Sequence, residues 1–178
     1  MRNSTYFYSH AASGFSSAYS PYDASLILGS PGFYQWKGSL VSYSRPKYSI
    51  GEEDVLENVD IPLESYAGYS MTIGRFAPSA SAVVLGAPRD RYLGAVYLYE
   101  SRSGMIKKSN KLAQGSHVGE YFGYSVLAVD LNADGVDELL VGAPMHTPTP
   151  KQRGDRGRVI VISNSGRVSP SRESRVSQ

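Results

Sequence analysis

Hydrophobic residues along this chain are gathered in short segments in which apolar positions alternate with small or polar ones. Three of the clearest segments open at a glycine: SLVSY follows Gly38, AVYLY follows Gly94 and RVIVI follows Gly157. A period of two places successive side chains on opposite faces of an extended strand. The pattern therefore predicts many short strands separated by turns.

Short phrases recur along the chain at a nearly constant distance. LGSP ends at Pro31, LGAP at Pro88 and VGAP at Pro144, so the prolines lie 57 and then 56 residues apart. AGYS, which contains Gly68, returns as FGYS with Gly123, and Gly-Phe-Ser at 14–16 is a weaker copy. Recurrence at a fixed period is typical of architectures built from repeated supersecondary units.

Each copy is interpreted as a four-stranded unit. One strand follows the Gly-Tyr-Ser phrase, a second ends in Gly-Ala-Pro, a third follows the next glycine, and the middle copy has a fourth over 107–113. Four strands make a propeller blade, which buries its faces only against neighbouring blades. The predicted fold class is all-β, a partial β-propeller of about three four-stranded blades. We expect a piece of a larger propeller whose two outer blades expose apolar faces.

Composition supports this fold and excludes several functions. The chain has 14 Tyr, 18 Gly and 10 Pro, which suits strands joined by tight turns. It has no Cys, so disulfides, thiolate catalysis and cysteine zinc sites are excluded. A net charge of +2 with scattered basic residues does not indicate a nucleic-acid partner. Since no GxSxG motif with a histidine partner is present, we expect no enzyme.

The strongest chemical signal is an acidic loop between two strand-like segments, DLNADGVDE at residues 130–138. Alternate residues of a tight loop can turn their oxygens toward one centre, and calcium prefers such hard ligands. The twelfth position is Val141, where an EF-hand has glutamate, so the prediction is a β-loop-β site closed by its ninth residue. The alternative is an acidic hairpin turn. The predicted ligands are the side chains of Asp130, Asn132, Asp134 and Glu138 and the carbonyl of Val136.

The other two copies offer no comparable ligand set. The first copy provides only Asp23, so calcium, bound at one site, is the expected cofactor. In the middle copy, the positions that correspond to the predicted ligands are Gly74, Phe76, Pro78 and Ala82.

His117 is interpreted as a loop residue, because no second histidine or cysteine stands at metal-binding spacing.

These phrases resemble the FG-GAP repeats of integrin alpha subunits, whose blades carry a Phe-Gly phrase, a DxNxDGxxD loop and Gly-Ala-Pro. The likeness runs from about Gly14 to Gly166, and PGFYQWKG at 31–38 is similar to the corresponding loop of the family's third blade. VDLNADGVDELLVGAPM at 129–145 is similar to the alpha-four and alpha-nine subgroup. The resemblance implies part of a seven-bladed domain, divided into an uncertain N-terminal segment (1–13), blade three (14–65), blade four (66–120), blade five with the calcium loop (121–166) and a polar tail (167–178).

The same resemblance implies a cell-adhesion function. We expect the extracellular side of a type I membrane receptor that pairs with an integrin beta subunit and binds matrix or cell-surface proteins. Its signal and membrane span are expected outside this sequence. The family's calcium loops lie on the lower face and are structural, whereas ligands bind the upper face. Asn3 lies in a glycosylation sequon. Candidates for the ligand or partner face are Tyr34, Gln35, Trp36, Glu64 and Tyr66.

The chain departs from the family pattern in one functional feature, and two other functions stay open. Members that bind Arg-Gly-Asp have an acidic pair where this chain has Leu63-Glu64, so a two-carboxylate arginine clamp is not expected. The chain's own Arg153-Gly154-Asp155 is interpreted as an ordinary charged loop. An FG-GAP propeller accessory to a secreted hydrolase and a secreted calcium-dependent carbohydrate-binding propeller stay open as alternatives. A membrane span with a GFFKR-like tail would favour the integrin, and a histidine-rich metal domain the hydrolase.

Overall fold

The computed structural model describes residues 10–22, 24–43, 61–77, 80–102, 105–147 and 156–163. Asn3, Asp23, the Arg-Gly-Asp tripeptide at 153–155 and the predicted tail at 167–178 lie outside these residues. In the described ranges the regular structure consists of ten strands, with two short helical turns at Phe33–Trp36 and Asp90–Tyr92. None of the helices in those ranges is both long enough and apolar enough to span a membrane.

The ten strands form three antiparallel sheets that follow one another along the chain. The first sheet is β1 (Ser16–Ser20), β2 (Ser25–Ser30) and β3 (Ser39–Tyr43), in that order. The second has four strands, β4 (Ser70–Ala77), β5 (Ala80–Ala87), β6 (Ala95–Arg102) and β7 (Met105–Gln114). The third is β8 (Ser125–Val129), β9 (Glu138–Ala143) and β10 (Arg158–Ile162), with β9 in the centre. The strand predicted over 107–113 is β7.

The three sheets share one pairing register, which shows that they are copies of one unit. The serine after the glycine-aromatic phrase pairs with the glycine of the Gly-Ala-Pro phrase in every sheet: Ser16 with Gly29, Ser70 with Gly86, and Ser125 with Gly142. Each central strand stops immediately before its proline, which has no N–H to extend the ladder. The all-β, propeller-blade prediction is therefore confirmed. The middle blade has four strands, and the outer blades have three each within the described residues.

Adjacent blades are joined near the start of their first strands by a repeated hydrogen bond. Ser16 Oγ donates to the carbonyl of Gly68 in the next sheet at 2.7 Å, and Ser70 Oγ donates in the same way to Gly123 at 2.9 Å. This repeated geometry requires glycine on the strand that pairs with the serine, since a Cβ on Gly86 of β5 would lie 2.0 Å from the Gly123 oxygen. The glycines of the repeat thus let neighbouring backbones approach closely.

The hydrophobic core lies between the blades, on both faces of the middle sheet. Val83 and Leu85 of β5 pack toward the first sheet, against Ile27 and Leu40. On the opposite face of the same strand, Val84 packs in a second cluster with Leu139 and Val141 of the third sheet and with Phe122, which precedes that sheet. Each such side chain contributes about 1.5–3 kcal/mol by leaving water. The central blade is therefore stabilised by its neighbours and not by an interior of its own.

The two outer faces of this three-blade arrangement remain open. Tyr19, Leu26 and Tyr43 are exposed on the first sheet, on the face turned away from the middle blade. On the third sheet Leu127 and Val159 are about half exposed. The prediction that the outer blades present apolar surface is confirmed.

Candidate metal loop and ligand-facing turns

The acidic loop at 130–138 joins β8 to β9 and is built as a tight coil of turns. Ala133 and Gly135 both adopt left-handed backbone conformations, with φ values of 60° and 84°. A glycine is suited to this conformation, and no heavy atom lies within 4 Å of the position that a Cβ on Gly135 would take. The requirement for glycine here is therefore conformational and not one of space.

Side-chain oxygens of the loop point inward, toward its own backbone. Asp130 accepts hydrogen bonds from the amides of Gly135 at 2.8 Å and Asp134 at 3.2 Å. Asn132 Oδ1 accepts from the Asp134 amide at 2.9 Å, and Asp134 Oδ1 accepts from the Val136 amide at 2.8 Å. These amides, chiefly that of Gly135, lower the pKa of the Asp130 carboxyl below its ordinary value. Asp130 is therefore an ionised acceptor at neutral pH.

Glu138 closes the loop at its far end. Its side chain is buried, and its two oxygens accept hydrogen bonds from the Leu131 amide at 2.9 Å and from Asn132 Nδ2 at 3.3 Å. Since Glu138 is the first residue of β9, the strand fixes the position of this carboxylate. Asp130 and Asn132 share the Asp134 amide, and Asn132 donates to Glu138, so hydrogen bonds link these residues within one loop. Their hard oxygens fit calcium by ligand chemistry.

The Asp137 side chain connects the acidic loop to the middle blade. Its Oδ2 accepts a hydrogen bond from the amide of Arg75 in β4 at 2.6 Å. The acidic loop of the third sheet is therefore attached to the middle blade. At Gly74 a Cβ would lie 2.5 Å from the Cβ of Ala128, so this glycine makes room for the attachment.

The five residues predicted for the ligand face come together as two facing turns. Tyr34, Gln35 and Trp36 follow β2, and Glu64 and Tyr66 precede β4. The Glu64 amide donates to the Gln35 carbonyl at 3.2 Å, and the Tyr66 amide donates to the Trp36 carbonyl at 2.8 Å. We call residues 34–36 and 64–66 together the turn pair.

The turn pair is conformationally strained. Its five candidate residues all have left-handed φ values, of 42°, 53°, 55°, 60° and 61° in chain order, although none is glycine. A non-glycine residue in this region costs on the order of 1 kcal/mol or more, and such strain concentrates at functional sites. Tyr34, Gln35, Trp36 and Glu64 are exposed, so the strained backbone presents aromatic and acidic side chains to solvent.

The metal loop and the turn pair lie at opposite ends of the blades. The loop follows the end of β8, whereas the turns of the pair lie after the end of β2 and before the start of β4. In an antiparallel blade these positions are separated by the length of one strand, which is about 17 Å for five residues. A cation in the loop would therefore have no direct contact with a ligand on the turn pair.

Comparison with known proteins shows which family the chain resembles. The FG-GAP repeat family model matches residues 122–162, which include the acidic loop and Gly-Ala-Pro. The chain is 38% identical over 144 residues to integrin alpha-4 of Xenopus laevis, covering 79% of this chain and 13% of that protein. It is 35% identical to integrin alpha-3 of Cricetulus griseus, covering 81% of this chain and 14% of that protein. The chain belongs to the integrin alpha family of FG-GAP propellers.

This integrin alpha segment also matches integrin alpha-2 of Bos taurus, at 35% identity over 84% of the chain. The similar identities to alpha-2, alpha-3 and alpha-4 leave the alpha-four and alpha-nine subgroup as a prediction. The chain spans only 13–14% of the length of these relatives. The blade numbers three, four and five likewise stay a prediction.

One surface of the integrin alpha blades was missed at the sequence level. Phe15, Tyr69 and Tyr124 each follow the repeat glycine and form a row across the three sheets, with ring centroids 4.8 Å and 5.0 Å apart. The hydrogen bond with Tyr124, together with burial, raises the pKa of the Tyr69 hydroxyl. An aromatic residue at the same position of every copy was the signal available in the sequence. We call these three residues the aromatic row.

A groove connects the aromatic row to the turn pair. It is lined by Tyr66, Tyr69, Pro88, Arg89, Tyr121 and Tyr124. The Arg89 guanidinium lies over the Tyr66 ring, 5.1 Å from its centroid, and donates to the Tyr66 hydroxyl at 3.4 Å. This cation–π contact holds Arg89 against Tyr66, and the two side chains together line one side of the groove.

Proposed function

We propose that this chain is part of the extracellular propeller of an integrin alpha subunit that acts as a cell-adhesion receptor. In this proposal it pairs with a beta subunit and binds an extracellular-matrix or cell-surface protein. The receptor is held on the cell membrane by segments outside this sequence. The observation that carries the proposal is the turn pair, a strained and exposed aromatic surface in a chain of integrin alpha type.

The chemistry of the turn pair suits a protein ligand. Exposed Tyr34 and Trp36 lie on a turn whose backbone is hydrogen-bonded to the facing turn, and aromatic residues are enriched in the cores of protein interfaces. Glu64 adds a single carboxylate beside them, which favours a basic or hydroxyl-bearing ligand group over a second acid. The adjoining aromatic row extends the apolar surface toward the next blades, and this supports a contact larger than a small-molecule site.

The proposed role of calcium is to stiffen the blade. The loop offers the side-chain oxygens of Asp130, Asn132, Asp134 and Glu138, with the Val136 carbonyl as the fifth ligand. Calcium would neutralise the negative charge of the loop carboxylates, which the amides of the loop do only in part. The loop is far from the turn pair and attached to the middle blade through Asp137, which supports a structural cation and not one that contacts ligand.

The relatives also bear on the question of catalysis. Integrin alpha subunits are adhesion receptors, so we infer that this chain is not an enzyme. No observation in the described ranges favours the hydrolase-associated or carbohydrate-binding alternative over adhesion.

Adhesion of cells that carry the receptor with this chain tests the proposal. Trp36→Ala and Tyr34→Ala are expected to reduce binding to the receptor's protein ligand by about tenfold or more, with surface expression and beta-subunit co-purification unchanged. Leu131→Ala removes a similarly exposed apolar side chain at the opposite end of the blades and serves as the control. Equal effects of Trp36→Ala and Leu131→Ala would contradict the assignment of the ligand face. Failure to co-purify any beta subunit with the unaltered receptor would contradict the integrin function.

A further inference from the structure

A cluster of His117, Glu120 and His146 lies at the start of the third blade, outside the acidic loop. The Nδ1 atom of His146 is 2.7 Å from Glu120 Oε2, and the Nδ1 atom of His117 is 3.7 Å from the same oxygen. One ligand atom from each of the three residues lies within 4.8 Å of the other two. From the sequence alone His117 is interpreted as a loop residue, because no second histidine stands at metal-binding spacing, but folding brings His146 to it across 29 positions.

The backbone around this cluster is closely held. The Met145 amide donates to the Glu120 carbonyl at 3.3 Å, which ties the turn after β9 to the segment before β8. The His146 carbonyl accepts from the amides of Arg156 at 3.0 Å and Gly157 at 3.1 Å. The side chains of Glu120 and His146 are 0% and 4% exposed, whereas that of His117 is 54% exposed. The cluster therefore has two buried ligand residues and one exposed one, His117, whose Nδ1 atom also lies 2.8 Å from Ser116 Oγ.

Glu120 is ionised in this arrangement. Burial opposes ionisation, but the hydrogen bond from His146, the Ser116 amide and the charge of Arg158 outweigh it and lower the pKa of Glu120. Arg158 Nη2 lies 3.1 Å from both carboxylate oxygens, and the Ser116 amide donates to Oε1 at 2.5 Å. Oε1 therefore has a second donor, whereas Oε2 faces the two imidazoles.

We propose that His117, Glu120 and His146 form a binding site for a borderline divalent cation, with zinc as the best fit. Two imidazole nitrogens and one carboxylate oxygen are a ligand set that zinc takes, with water in the fourth position. Zinc holds such atoms at about 2.0–2.2 Å, so its ligands stand about 3.5 Å apart in a tetrahedral site. The exposed His117 supplies the contraction by rotating inward, and Arg158 stays paired with Oε1.

The choice of ion follows from the donor atoms. Calcium prefers oxygen ligands only, whereas imidazole nitrogen suits zinc and its neighbours among the transition metals. The acidic loop at 130–138 has the opposite preference and lies at the far end of β8. The two sites are therefore chemically and spatially independent, and the zinc site does not depend on the proposed adhesion function.

Zinc titration of the chain in excess calcium tests the proposal, with isothermal calorimetry and cobalt absorption as readouts. One zinc ion is expected, and cobalt is expected to give the visible absorption of a tetrahedral site. His117→Ala removes one of the three protein ligands and should weaken zinc binding by about 100-fold or more, since losing only a hydrogen-bond partner of a ligand costs about 10–100-fold. Because His117 is exposed, its loss leaves folding intact.

Two matched controls separate this site from other histidines and from the calcium loop. His10→Ala removes the third histidine of the chain, and Asp134→Ala removes a loop carboxylate. Both variants should bind zinc as the unaltered chain does. Absence of zinc binding by the unaltered chain, unchanged binding by His117→Ala, or an equal loss in His10→Ala would each overturn the proposal. His146→Gln, checked for folding by circular dichroism, should match His117→Ala in zinc affinity.

Discussion

Asp137 and Arg75 exchange two hydrogen bonds across the boundary between the third and middle sheets. The Asp137 amide donates to the Arg75 carbonyl at 2.7 Å, and the Arg75 amide donates to Asp137 Oδ2 at 2.6 Å. Asp137 immediately precedes Glu138, the residue that closes the acidic loop. Order in the loop is thus transmitted directly to the neighbouring blade.

Asp137→Ala is expected to destabilise the chain by about 1–2 kcal/mol, because it removes a charged acceptor from the Arg75 amide. Urea unfolding in excess calcium measures this loss. Asp137→Asn retains an acceptor oxygen of the same reach and should keep most of the stability. Equal stabilities of the alanine variant and the unaltered chain would show that the contact between these blades contributes nothing measurable.

Asp134→Ala is expected to lower calcium affinity and thermal stability together. Asp134 stands at the centre of the loop. Of the three predicted carboxylate ligands, it lies nearest the tip. Calorimetric titration of the unaltered chain should give one calcium site, and the variant should lose the calcium-dependent rise in melting temperature. Leu131→Ala, also in the loop but without a ligand oxygen, is the control. Zero or three sites, or an Asp134→Ala variant that melts like the unaltered chain in excess calcium, would contradict the loop assignment.

Much of the fold could be predicted from the sequence because the same residue types recur at the same positions of each copy. Gly29, Gly86 and Gly142 stand at the same register position in three sheets, and each is followed two residues later by a proline that ends the strand. Local rules therefore located the strands. Tyr34, Gln35 and Trp36 could be singled out through a family likeness at residues 31–38, although nothing local indicated that five non-glycine residues of the turn pair are left-handed.

The contacts that sequence reasoning missed join residues that are far apart in the chain. Asp137 and Arg75 are separated by 62 positions, and His146 and Glu120 by 26. Periodicity identifies strands and turns but does not say which loop of one blade touches which strand of the next. Such pairings depend on the packing of blades, which becomes visible only once the sheets are placed side by side.

Gly86→Ala should cost about 3 kcal/mol, because the added Cβ would lie 2.0 Å from the Gly123 carbonyl oxygen, a backbone atom that cannot move aside cheaply. Gly142→Ala is the matched control at the same register of the third sheet. There the Cβ meets Ser125 Oγ at 2.3 Å, and that side chain can rotate away, so the expected cost is below about 1 kcal/mol. Urea unfolding of both variants measures the difference. Equal losses would show that close approach between blades does not explain the glycine.

Glu120→Gln should reduce stability at neutral pH and flatten its dependence on acid. The folded-state pKa of Glu120 lies below the ordinary value of 4.5, so its ionised form stabilises the fold above that pH. This contribution is lost as the pH falls through the folded-state pKa, since the protonated carboxyl no longer attracts the charge of Arg158. We expect a loss of about 2 kcal/mol at pH 7, since a charged acceptor of buried hydrogen bonds is removed. Urea unfolding from pH 7 to pH 3 checks both effects, with the exposed Glu64→Gln as control. A parallel fall in the stability of the unaltered chain and of Glu120→Gln below pH 4.5 would rule out Glu120 as the source of the acid dependence.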